Sequence, residues 1–210
     1  MDEEQADEIK RKLPIQKRAK QTFETLLEAT AQILKHEGSE QLTTNYLAER
    51  SGFSIGTIYQ YFPNREAIVL ALIERQRAKV ARRVDEVLAR HQDESLEQKI
   101  RLIIRELHQA FALHRRPSAR LTKALLQMAV QHGIPSPPHV VANAIVELWQ
   151  AAKNQGQPPL NDSEVFVLNQ SIVEVLRQAA LQGSPLLGTE QFEAAMVRLI
   201  MGFLRQTPDG

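Results

Sequence analysis

Apolar side chains recur three or four residues apart along almost the whole 210-residue chain, and no segment alternates with period two in the β-branched manner of a strand. That spacing makes the expected fold all-α. Glycine and proline divide the pattern into elements. The first helix is expected to run from Pro14, whose missing N–H suits a first helical position, to His36, with Gly38 just past its end. Its inward face would carry Ala19, Phe23, Leu26, Leu27, Thr30, Ile33 and Leu34. A short helix over 44–51 with Thr43 as N-cap, a turn at Gly52, and a second short helix over 55–61 with Ser54 as N-cap come next. Pro63 and Asn64 break the chain before a long helix over 65–91. Five further helices are expected near 95–114, 118–132, 139–154, 162–182 and 189–206, separated at Arg116-Pro117, 133–138, 156–159 and 183–188. No fixed period repeats, which argues against a helical solenoid.

Several functions are excluded by composition. There is no cysteine, hence no disulfide, no thiolate zinc site and no cysteine nucleophile. No run approaches the roughly 20 apolar residues of a membrane span, and the opening MDEEQADEIK is acidic where a secretory signal is basic and then apolar. A cytoplasmic protein with no membrane partner is expected. The net charge of +1 conceals an asymmetry: residues 1–8 hold five acids and no base, residues 9–91 hold fifteen Lys and Arg against nine acids, and residues 92–210 hold eleven of each. Lys10, Arg11, Lys12, Lys17, Arg18 and Lys20 crowd into eleven residues, a density that favours an anionic surface nearby.

Between Thr43 and Phe62 the chain reads TTNYLAERSGFSIGTIYQYF, with the proportions of a helix-turn-helix. Leu42, Leu47, Ala48, Phe53, Ile58 and Phe62 can turn toward the first helix and form a small three-helix core. The opposite side of the second short helix then offers Ile55, Gly56, Thr57, Tyr59, Gln60 and Tyr61, with no acid among them. Such a face suits double-stranded DNA. Gln60 can present an amide to a base edge, Thr57 can meet a phosphate or a thymine methyl, and Tyr59 and Tyr61 can donate to phosphate oxygens. Gly56 permits close backbone approach.

GFSIGTIYQYFPNREAIVLAL following LTTNYLAERS resembles the DNA-binding end of the tetracycline-repressor (TetR) family of bacterial regulators, over about residues 17–72. The resemblance implies Thr44, Tyr59, Tyr61 and Arg65 on phosphates, with Ile55, Gly56, Thr57 and Gln60 against major-groove bases. Arg65 stands where the family often has Lys, and Pro63 where relatives frequently have Lys or Gly. The implied organisation is a DNA-binding domain over 14–64, preceded by a charged arm over 1–13, and a ligand-binding and dimerisation domain over 65–210.

Residues 92–210 carry only the general helical arrangement of that family. The last two helices, VFVLNQSIVEVLRQAAL and FEAAMVRLIMGFL, are apolar over more than one stripe, so that two copies could pair as a four-helix bundle. The resemblance implies a homodimer through them. Candidate pocket residues for a small-molecule inducer are Leu107, Phe111, Leu125, Met128, Trp149 and Phe166, with His108, Gln127 and Asn143 as polar anchors. No histidine pair has helical metal-ligand spacing, no serine has a nucleophile-elbow context, and no glycine loop could cradle phosphate, so neither enzyme, cofactor nor metal is expected. The expected function is a ligand-responsive regulator, a repressor binding a palindromic operator as a dimer. The alternative is an architectural or adaptor protein that uses the same fold without a ligand.

Overall fold

The computed structural model describes residues 3–111, 119–131, 140–152 and 159–205. The breaks expected at 116–117, 133–138 and 156–158 lie outside the described residues, as do the side chains of 3–16, Phe111, Ala119 and 140–142. Among the described residues there are nine helices and no strand: α1 Glu3–His36, α2 Thr44–Ser51, α3 Ile55–Tyr61, α4 Arg65–Arg90, α5 Leu96–Phe111, α6 Ala119–Gln131, α7 Val140–Ala152, α8 Asp162–Leu181 and α9 Glu190–Arg205. None is long and apolar enough to cross a membrane.

Caps fix the boundaries. Thr43 and Ser54, both extended, accept the backbone N–H of Tyr46 and Thr57 at 3.1 Å each. Asn64 accepts from Ala67 N at 2.8 Å at the head of α4, and Asn161 forms a reciprocal capping box with Glu164 at the head of α8. Helix α1 differs from expectation. It begins at Glu3, so Pro14 lies inside it and not at its first position. At its other end Lys35 and His36 lie toward the negative end of the helix dipole.

The chain divides into two compact units, Met1–Ile73 and Glu74–Gly210, and the division falls inside α4. In the first unit Leu26, Leu27, Ile33 and Leu34 of α1 are buried, together with Leu42, Leu47, Ile58 and Phe62, and with Ile68, Val69 and Leu72 of the opening turns of α4. These turns are part of the small core because their apolar residues recur at i, i+1 and i+4 on one face. Thr30 is also fully buried and satisfies its hydroxyl on the Leu26 carbonyl at 2.8 Å.

The second unit is built around α5, which touches α6, α7, α8 and α9. Ile100, Ile103, Ile104 and Leu107, spaced for one helical stripe, are buried against Ile145 and Trp149 of α7, Leu168, Ile172 and Leu176 of α8, and Val197, Ile200 and Leu204 of α9. Each such side chain contributes about 1.5–3 kcal/mol of burial. One charge enters this core: Glu193 of α9 is buried and receives Arg105 through both Nε and Nη2, at 3.2 and 2.9 Å, with Arg101 at 3.8 Å.

Candidate nucleic-acid interface

The helix-turn-helix is made by α2, the turn at Gly52 and α3. Gly52 adopts φ +73°, a left-handed conformation that costs other residues about 1–2 kcal/mol, and its N–H returns to the Ala48 carbonyl at 3.0 Å. This sharp stop lets α3 begin three residues later. Leu47 on α2 and Ile58 on α3 point inward and are fully buried. The rotation that buries Ile58 leaves Ile55, Gly56, Tyr59 and Gln60 exposed, and Thr57 half-buried. Tyr59 is 54% exposed, and its hydroxyl lies 3.4 Å from Thr44 Oγ1, bringing the first residue of α2 beside the outer side of α3. Thr57 Oγ1 pairs with Ser54 Oγ at 2.9 Å.

Two expected contacts are placed differently from the rest. Tyr61 is half-buried, with its ring centroid 6.3 Å from that of Phe23 on α1, so its packing role accompanies any role of its hydroxyl. Arg65 turns toward its own chain: Nη2 donates to the Ser39 carbonyl in the α1–α2 turn, and Nε is buried without an acceptor. Sequence reasoning did not find the residues around that turn. Tyr46 donates to Glu37 Oε2 and Arg50 pairs with the same carboxylate at 3.5 Å, joining α2 to the end of α1. The hydrogen bond to Glu37 raises the Tyr46 phenol above its ordinary pKa, with burial and the Glu37 charge acting in the same direction.

Residues 26–72 match the family model of bacterial regulatory proteins of the tetR family. Over that segment the chain is similar to the DNA-binding end of the TetR family. The matched segment contains the whole helix-turn-helix, Thr44–Ser51 and Ile55–Tyr61. No curated protein is matched by the sequence. Solved structures share the fold of the chain. A TetR-family transcriptional regulator from Streptomyces coelicolor superposes with a TM-score of 0.58 at 18% identity, covering 89% of this chain and 99% of its own. The regulator FadR from Bacillus subtilis, in complex with stearoyl-CoA, gives 0.54 at 16% identity over 89% and 99%. A protein described as the molecular basis for control of antibiotic production by bacterial hormones gives 0.60 at 19% identity over 88% and 97%.

The expected ligand residues are split by the structure. His108 on α5 and Trp149 on α7 are buried on two helices in contact, and Met128 on α6 is fully buried with Leu107 and Leu125. Gln127, Asn143 and Phe166 are exposed, Phe166 at 63%, and they do not join that interior. Phe111 closes α5, and its side chain lies outside the described residues. His108 is 4% exposed, with its ring 5.1 Å from that of Phe192. Burial pushes its imidazole below the ordinary range, while the Glu193 charge acts in the opposite direction. His108 Nε2 and Trp149 Nε1 are both buried without a partner.

Proposed function

We propose that this chain is a TetR-family, ligand-responsive repressor that binds a palindromic operator as a homodimer through residues 43–65. The observation that carries the reading is the outer side of α3, where Ile55, Gly56, Tyr59 and Gln60 are exposed and no carboxylate intrudes. Ile55, Gly56, Thr57 and Gln60 face the bases, and Thr44, Tyr59 and the Tyr61 hydroxyl serve the phosphates. Gly56 supports close approach, because a methyl there would meet only Ser54 Oγ, at 3.8 Å, so nothing inside the protein requires a glycine. Lys17, Arg18 and Lys20 are exposed on α1 and supply positive charge to the same unit.

Pairing of two copies is supported by the apolar residues that α8 and α9 leave in solvent: Phe166, Val167 and Val175 on one and Leu199 on the other. Two heads one helical turn apart add their contacts on a palindrome. The second unit takes an apolar small molecule among α5, α6 and α7, near His108, Met128 and Trp149, a role consistent with a protein of this fold holding stearoyl-CoA. The inducer acts by binding the form with misplaced heads more tightly than the DNA-competent form, with α4 as the transmitting element.

Selection of duplexes from a random-sequence library tests this reading. Enrichment of an inverted repeat, with affinity falling steeply as salt rises, is the expected result. Failure to enrich any sequence would refute it.

A further inference from the structure

Residues 40–64, the whole of the reading motif, lie between two groups that are bonded to each other. Arg65, the first residue of α4, donates Nη2 to the Ser39 carbonyl 26 residues earlier, and so closes the loop that contains α2 and α3. Two residues before Ser39, Glu37 collects Tyr46 and Arg50 from α2. The short turn 37–39 thus holds the inner end of the motif through α2 and its outer end through α4. The Arg65 guanidinium is directed at a neutral backbone oxygen, and its Nε is shut away from solvent. The Nη2 donor is thereby committed to the protein's own backbone.

We propose that Arg65 is a positioning residue for DNA reading: it clasps the start of α4 to the α1–α2 turn and so sets the angle at which α3 meets the groove. It contributes no phosphate neutralisation. This rests on the reading that α3 docks on the duplex. The two roles differ in what they predict. A lost phosphate contact weakens all sequences alike and lowers the salt slope by about 0.9 per contact. A misaimed α3 weakens the matched sequence selectively, because base contacts depend on angle and backbone attraction scarcely does.

The test compares wild type with Arg65→Met on a duplex enriched by the wild-type protein and on a scrambled duplex, each across a KCl series. Circular dichroism confirms that the variant is folded. The expected result is a loss of about tenfold on the enriched duplex, a change under about twofold on the scrambled one, and an unchanged salt slope on both. Equal losses with a lower slope, or no loss, would overturn the proposal. Should Arg65→Met not fold, Arg65→Lys decides: it keeps the charge with one bond less reach, so the clasp predicts a loss of about threefold confined to the enriched duplex, and wild-type behaviour would overturn it. If wild type enriches no duplex, the DNA reading itself fails and the proposal with it.

Discussion

Gly56→Ala should move stability and DNA affinity in opposite directions. Gly56 is the second residue of α3, its φ is not left-handed, and a methyl built there finds only Ser54 Oγ, at 3.8 Å, an ordinary contact. Exchange of helical glycine for alanine therefore acts through chain entropy alone, a gain of about 0.5–1 kcal/mol in a helix interior and about 0.5 here in the first turn. Binding should suffer, because the new methyl enters the space between α3 and the base edges. Backing the helix away by a carbon radius stretches the contacts of Thr57 and Gln60, and loss of one good base contact is worth about 1–3 kcal/mol per head. Urea unfolding followed by circular dichroism gives the first quantity, and fluorescence anisotropy on an enriched duplex gives the second. Unchanged affinity would mean that this side of α3 does not approach the duplex. A loss of stability beyond about 1 kcal/mol would mean that the space around Gly56 has been misjudged.

Gln60→Ala should relax base choice at one position of each half-site by about 1–3 kcal/mol and leave binding to scrambled DNA unchanged, as read by competition with single-base variants. Ser54→Ala removes the N-cap of a seven-residue helix and should cost about 1 kcal/mol in urea unfolding of the first unit. Because burial holds the His108 pKa below the ordinary 6.5, the unfolded chain binds the extra proton first as pH falls. Stability should therefore decline as pH drops through about 6.5 toward the folded value, and His108→Leu should flatten that dependence between pH values of about 7.5 and 5.5. An unaltered profile would place the titration elsewhere. Replacing both Arg101 and Arg105 by Met strands the buried Glu193 carboxylate and should destabilise more than Glu193→Leu, which removes the charge itself.

The helical elements were legible because their punctuation is local. Thr43, Ser54 and Gly52 act within three or four residues, so α2 and α3 take the bounds that the caps and breaks dictate. The same reasoning misplaced the start of α1, since the helix continues through Pro14 to Glu3. The sequence names the residue types at α3 and the start of α4 but not always the direction in which they turn. Nothing in the sequence around Arg65 says that its guanidinium turns back to Ser39, because that acceptor is a carbonyl 26 residues away. The pocket candidates Gln127, Asn143 and Phe166 fell on outer faces for a related reason. A helix that is apolar over more than one stripe has no single phase, and only its neighbours decide which side is covered. Glu193 gave a partial signal, as a charge in register with Met196, Val197 and Ile200 on a buried stripe, yet its partners lie on α5, 88 residues from one of them.

All three tyrosines, Tyr46, Tyr59 and Tyr61, belong to the unit Met1–Ile73, proposed to meet DNA, and the single tryptophan, Trp149, belongs to the core of the other. Each half of the molecule therefore carries its own intrinsic fluorophore. Light absorbed by indole alone reports on the proposed ligand side, and phenol emission reports on the proposed operator side. An unlabelled sample mixed rapidly with inducer or duplex can reveal which half responds first.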